Sequence, residues 1–106
     1  MSDVPSAVQR MIDATNAGDH DAFVAAFAPD AVLVDWGTVL EGAEGIAAWD
    51  DSDNIGPKAH FEIADVDQEG DVWIVTLDVT GGGFNGESGF RFELADDLIS
   101  RMEIQP

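Results

Sequence analysis

Asp35 closes the apolar run PDAVLVDWG and is followed directly by Trp36 and Gly37. In a strand, residues two apart share a face, so Asp35 is expected to point the same way as Leu33. A carboxylate aimed into an apolar interior loses hydration, and that is how a side chain becomes a general base usable near neutral pH. The competing placement is a solvated turn just past the strand. The other chemistry-bearing residues offer less. His20 falls in the first turn of a short helix and is expected to be solvated. His60 alternates with Phe61 and so faces outward, toward solvent or a second subunit. Two histidines on separate elements, with no third ligand, do not make a zinc site. Asp51, Asp53, Gly56 and Glu62 match part of a calcium-loop spacing, but Ile55 stands where a ligand belongs and Glu62 lies within a strand. Gly81–Gly83 is not a phosphate cradle, since no helix follows it. Asp50, Asp51 and Asp53 read as a solvated loop. No metal and no cofactor is expected.

The composition bounds the partners. The chain has 106 residues, fitting one domain over 1–106, and 45% are hydrophobic, enough for a core. It has 22 Asp and Glu against 4 Lys and Arg, a formal charge of −18. Such a surface repels phosphate backbones and anionic membranes, so neither nucleic acid nor membrane is an expected partner. No apolar run is long enough to span a bilayer, and the N-terminus lacks a signal-peptide pattern, so the expected compartment is the cytoplasm. Cysteine is absent, which excludes disulfides, thiolate ligands and cysteine nucleophiles. Fifteen of the acids are Asp, and Lys58 is the only lysine. That bias resembles proteins of salt-rich cytoplasm, where screening offsets self-repulsion. An acidic protein from an ordinary high-GC bacterium is the competing explanation.

The elements that would position Asp35 follow from periodicity. Residues 5–17 predict a helix opened by Pro5, with Val8, Met11, Ile12 and Thr15 on one face and Gly18 as its stop. Asp19 caps a second short helix carrying Phe23, Ala26 and Phe27. Residues 31–35 predict the first strand, and 43–49 a third helix. DDSDNIGP reads as a loop. Ala59, Phe61 and Ile63 alternate in a strand that turns at Gln68–Asp71. Trp73, Val75, Leu77 and Val79 then alternate with polar residues in a half-buried strand. GGGFNG is a flexible link. Phe90, Phe92 and Leu94 alternate with Arg91 and Glu93, and a short last strand sets Leu98, Ser100, Met102 and Ile104 on one face. The class is α+β, with helices packed on one curved antiparallel sheet.

The run NAGDHDAFVAAFAPDAVLVDWG, followed by EGAEGIAAW, resembles the opening of the SnoaL-like polyketide cyclases. These belong to the nuclear transport factor 2-like superfamily, with the ketosteroid isomerases and limonene epoxide hydrolases. The resemblance covers nearly the whole chain. It implies a cone, with the sheet wrapped around the N-terminal helices and an apolar pocket at the wide end. It also implies a homodimer paired through the outer sheet face, where Thr76, Asp78, His60 and Arg91 point. By the same resemblance Asp35 falls where the isomerases keep their proton-shuttling carboxylate. Met11 falls at their oxyanion tyrosine and Ser88 at their protonated aspartic acid. The epoxide-hydrolase pattern needs an Asp–Arg–Asp set, and alternation turns Arg91 outward. The cyclase pattern asks for one acid–base aspartate in an apolar pocket, which Asp35 supplies.

The expected catalytic pair is therefore Asp35 and Ser88. The expected pocket wall is Met11, Leu33, Trp49, Phe61, Trp73, Val75, Phe84, Phe90 and Met102, against the plain alternative that these residues are ordinary core. Three functions stay open. One is an isomerase-, cyclase- or hydrolase-type enzyme acting on an apolar carbonyl-type substrate. Another is a binding domain for an apolar small molecule. The third is a dimerisation module whose cone is filled with side chains.

Overall fold

The structure, a computed structural model, describes residues 4–105. Helix α1 spans Ser6–Ala17 and α2 His20–Ala25; strand β1 spans Phe27–Asp35 and β2 Thr38–Glu41. Helix α3 runs Gly42–Asp53, followed by β3 His60–Glu69, β4 Val72–Thr80, β5 Gly86–Ala95 and β6 Leu98–Gln105. One six-stranded curved sheet has the order β2-β1-β6-β5-β4-β3. Every pairing is antiparallel except β1 with β6, which is parallel. The fold is α+β, as expected, with that parallel pair added.

Local chemistry accounts for the boundaries. In α1 the buried residues Val8, Met11, Ile12 and Thr15 recur at helical spacing, and Gly18 ends the helix in the left-handed region at φ 70. The Asp19 carboxylate accepts the Ala22 backbone N–H at 3.1 Å, capping α2. Arg10 and Ser6 on α1 both bond Asp97, which ties the helix to the β5–β6 turn.

Five expectations need correction. The first strand begins at Phe27 rather than residue 31. Its pairing with β6 breaks between Phe27 and Val32, where Pro29 has no N–H to give a ladder. Strand β2 was not expected at all. It folds back from β1 across a two-residue loop, Trp36 and Gly37, both at positive φ (50 and 90). Two successive positive φ values match the twist of a tight hairpin. Helix α3 continues to Asp53, through residues expected to be loop. Strand β3 runs on to Glu69, so the turn is confined to Gly70 and Asp71. In β6 the simple alternation fails: Ile99 is buried with Met102 and Ile104, while Leu98 is only half-buried. A register shift between Glu93 and Leu94 of β5 absorbs the extra residue.

The sheet's inner face and the helices enclose one apolar cluster, including Phe23, Leu33, Ile46, Leu77, Phe92 and Ile99. The free edge of β3 carries Glu62, Asp65, Asp67 and Glu69, charges that discourage edge-to-edge pairing. No helix among the described residues is long and apolar enough to cross a membrane.

Candidate small-molecule site

A cavity of about 440 Å³ opens at one end of the curved sheet. Strand register explains where it lies. Asp35, Ile104 and Phe90 are neighbours across β1, β6 and β5, and all three line it. The next inward-facing row is Leu33, Met102 and Phe92, each fully buried and absent from the lining. The cavity is thus one layer deep over a packed floor. On β4 it is lined by Val79, near the strand's end, and not by Val75.

Asp35 is half-buried at the end of β1. Its Oδ2 accepts the Trp49 indole N–H at 2.9 Å. Trp49, on α3, is 5% exposed and stacks on Phe23 with ring centroids 5.9 Å apart. The indole therefore fixes the carboxylate's orientation, and among the described residues Oδ1 has no hydrogen-bond partner. Phe61 is held by Asn16 at the end of α1. The Asn16 amide accepts the Phe61 backbone N–H at 2.8 Å and donates to its carbonyl at 2.9 Å, standing in for a neighbouring strand. Phe61 meets Phe90 edge to face at 5.6 Å.

Ser88 lines the cavity, and its hydroxyl bonds the Gln105 carbonyl at 3.1 Å. A carbonyl can only accept, so the serine proton is committed there. Ser88 thus presents lone pairs to the cavity rather than a donor.

The mouth is framed by two exposed aromatics. Trp36 is 59% exposed, Phe84 is 51% exposed, and their rings approach edge to face at 6.5 Å. Phe84 rides on the Gly81–Asn85 loop. The Asn85 side chain bonds the Gly81 N–H and carbonyl and the Gly83 carbonyl, so the link expected to be flexible is tied down. A Cβ at Gly81 would lie 2.6 Å from the Lys58 carbonyl, so only glycine permits this close approach.

Beside the cavity runs a buried polar network that sequence reasoning missed. Asp50 was expected in a solvated loop but is 0% exposed on α3. His20 was expected to be solvated, yet its Nδ1 lies 2.6 Å from Asp50 Oδ2. That hydrogen bond is the main reason the His20 pKa is raised; partial burial opposes it, and the charges of Asp50, Asp51 and Asp21 add to it. Asn54, which lines the cavity, donates from Nδ2 to Asp50 Oδ1 and to Thr15 Oγ1, both at 3.0 Å.

Of the expected site residues, Asp35, Ser88, Trp49, Phe61, Phe84 and Phe90 come together around the cavity. Met11, Leu33, Val75 and Met102 are fully buried core and do not reach it. Trp73 is half-buried against the core and also lies outside the lining. Alternation shows which face a residue takes; its depth along the cone depends on register. The lining residues not foreseen include Trp36, Asp53 and Asn54. The signal for Trp36 was weak, because Gly37 suits a tight hairpin loop while a tryptophan at positive φ does not.

The fold and its hollow end define a small α+β domain of the ketosteroid isomerase-like, nuclear transport factor 2-like class. The chain belongs to the SnoaL-like domain family, whose model matches residues 8–102. Among solved structures it is similar to a protein of Sinorhizobium meliloti described as a candidate polyketide cyclase. The two are 31% identical, with 96% of this chain and 95% of that one covered and a TM-score of 0.86. A Mycobacterium tuberculosis protein in complex with estradiol-17beta-hemisuccinate shares the fold at 19% identity, with coverage of 95% and 91% and a TM-score of 0.82. A computationally designed 17-OHP binder does so at 19% identity, with coverage of 95% and 88% and a TM-score of 0.83. No match was found among curated proteins.

Proposed function

We propose that the protein binds an apolar small molecule in the cavity, and that Asp35 is the group that holds or takes a hydrogen from it. The carrying observation is the Trp49–Asp35 bond, which orients one carboxylate oxygen and leaves the other free beside aromatic walls. The estradiol-17beta-hemisuccinate complex of the Mycobacterium tuberculosis protein, and the design of a 17-OHP binder on this fold, support an apolar occupant. Isomerase-type enolisation is disfavoured, because Met11 is shut in the core and the Ser88 proton is committed to Gln105. Losing one oxyanion donor typically costs roughly 100- to 1000-fold in rate. Binding is therefore the primary reading. Acid–base chemistry of the cyclase type at Asp35 is the second, favoured by the likeness to the Sinorhizobium meliloti protein. We also infer a homodimer through the outer sheet face.

The test is a tryptophan-fluorescence titration with apolar alcohols, ketones and amines, on the wild type and Asp35→Asn. Saturable binding that D35N weakens supports the reading. Saturable binding that D35N leaves unchanged removes Asp35 from the site. Solvent-deuterium exchange next to a bound ketone, lost in D35N, would establish the acid–base role.

A further inference from the structure

We propose that the cavity is built for a protonated amine on an apolar body; this rests on the cavity being a ligand site at all. The walls are rich in aromatic faces. Trp36, Trp49, Phe61, Phe84 and Phe90 line the cavity, and no Lys, Arg or His does. Aromatic faces attract cations through their quadrupole, most strongly where water is excluded.

The polar groups agree with the rings. Asp35 and Asp53 are the charged residues of the lining, and both are acidic. Ser52, Asp53 and Asn54, at the C-terminal end of α3, line it too, and a helix C-terminus carries partial negative charge. The side chains that could have polarised a neutral carbonyl are turned elsewhere. The Trp49 indole donates to Asp35, the Ser88 hydroxyl to Gln105, and the Asn54 amide to Thr15 and Asp50. The donors left are the Ser52 hydroxyl, held only by a long 3.5 Å bond to the Trp49 carbonyl, and the Thr38 hydroxyl and Trp36 indole toward the mouth.

Asn54 adds to the negative character of this end of α3. Its amide orientation is forced. Asp50 is a carboxylate and can accept the amide hydrogen, and Thr15 Oγ1 already donates to the Met11 carbonyl at 3.0 Å, so it too accepts from Asn54. Asn54 Oδ1 must then be the free end. Asn54 is 1% exposed, and its Oδ1 has no hydrogen-bond partner. A buried acceptor without a partner is costly and rare in native structures. That oxygen is sealed from the cavity and touches no ligand there, but as an unpaired acceptor on a residue of the lining it adds to the negative potential that an ammonium would meet beside Asp35 and the rings. An apolar amine is protonated at neutral pH, as lysine is. The charge of −18 adds a long-range field that draws cations toward the protein.

The experiment compares adamantylamine, adamantanol and adamantanone, which share one cage and differ in the polar group. Binding is read by tryptophan fluorescence in dilute buffer and in molar potassium chloride. The proteins are the wild type, Asp35→Asn, and an Asp65→Asn/Asp67→Asn control on the exposed edge of β3. The amine should bind roughly tenfold or more tightly than the alcohol or ketone, and keep that preference in high salt. D35N should lose roughly tenfold for the amine and clearly less for the alcohol, whose hydroxyl can donate to an amide oxygen as well as to a carboxylate, and the β3 control should match the wild type. If alcohol or ketone binds as tightly as the amine, the cation reading falls and the ligand site stands. If the preference vanishes in molar salt, or falls equally in the β3 control, surface charge explains it and the proposal is overturned. If none of the three gives a saturable change, both the proposal and the ligand site fall.

Discussion

Asp50 carries more structural weight than any other charged residue described here. It is fully buried and takes hydrogen bonds from His20 Nδ1, Asn54 Nδ2 and the Ile55 backbone N–H, at 2.6, 3.0 and 3.4 Å. Asp50→Ala would strand all three donors and is expected to cost roughly 3–5 kcal/mol in urea unfolding, as removing one partner of a buried pair does. A cost near zero would mean the site refills with water. His20 adds a pH dependence of definite sign. Its pKa in the fold is raised, first by the Asp50 hydrogen bond, so its extra stabilisation is fully present below the ordinary value of 6.5. That contribution is lost as pH rises through the elevated folded value. The melting-temperature advantage of wild type over His20→Gln should therefore be largest near pH ~6 and shrink toward alkaline pH. An advantage that grows with pH would contradict the assignment. His20 is partly exposed, so screening keeps the effect modest. Asp35 was legible in the sequence because an apolar strand ending in D-W-G isolates it. Asp50 and Asn54 were not. Their four-residue spacing means something only on a helix, and Asp, Ser and Asn compete for backbone hydrogen bonds in a way that normally signals a loop. Burial beneath α2 overrode that preference.

At the scale of elements, two turns position the site. The exit of α3 depends on Gly56, whose added Cβ would fall 1.6 Å from the Asp51 carbonyl oxygen. Gly56→Ala must shift that turn, and a loss of roughly 1–3 kcal/mol or more is expected on thermal or urea unfolding. A neutral G56A would show that the exit is looser than drawn. The β1–β2 loop places Trp36 at φ 50, a conformation better suited to Asn or Gly. Trp36→Asn should therefore be neutral or slightly stabilising, by about 0.5–1 kcal/mol, while weakening ligand binding. A clear loss of stability would assign Trp36 a packing role instead. Periodicity revealed α1 and the long strands β4 and β5 through their regularly spaced buried residues, but it carried α2 too far: the helix ends at Ala25, Ala26 caps it and Phe27 opens β1. It missed β2, whose four residues are mostly exposed, and the parallel β1–β6 pairing, which depends on contacts far apart in sequence. It also misread β6, where the register shift against β5 moves Ile99 into the core.

The whole molecule is governed by its charge and its hollow end. With −18 on 106 residues, self-repulsion opposes the compact state in dilute buffer. Melting temperature is expected to rise as potassium chloride goes from millimolar to molar. A flat or falling trend would mean the acids are spaced or paired well enough to be indifferent. Sedimentation at both salts tests the inferred homodimer, and a strict monomer throughout would exclude pairing through the outer face of β3–β5. A hollow end was expected from the family resemblance, but its depth was not legible, since that depends on how side-chain volumes meet across a curved sheet. Met102 and Ile104 read alike along β6, yet only Ile104 reaches the cavity. The three tryptophans allow the central claim to be tested directly, because Trp36 and Trp49 line the cavity and Trp73 does not. Indole N–H signals would be assigned through single Trp→Phe variants and followed by NMR during titration with adamantylamine and, separately, adamantanone. Saturable shifts of the Trp36 and Trp49 signals with at least one ligand, and a stationary Trp73 signal, are the predicted result. If all three signals stay still with both ligands, or Trp73 moves along with the others, this cavity is not the protein's ligand site.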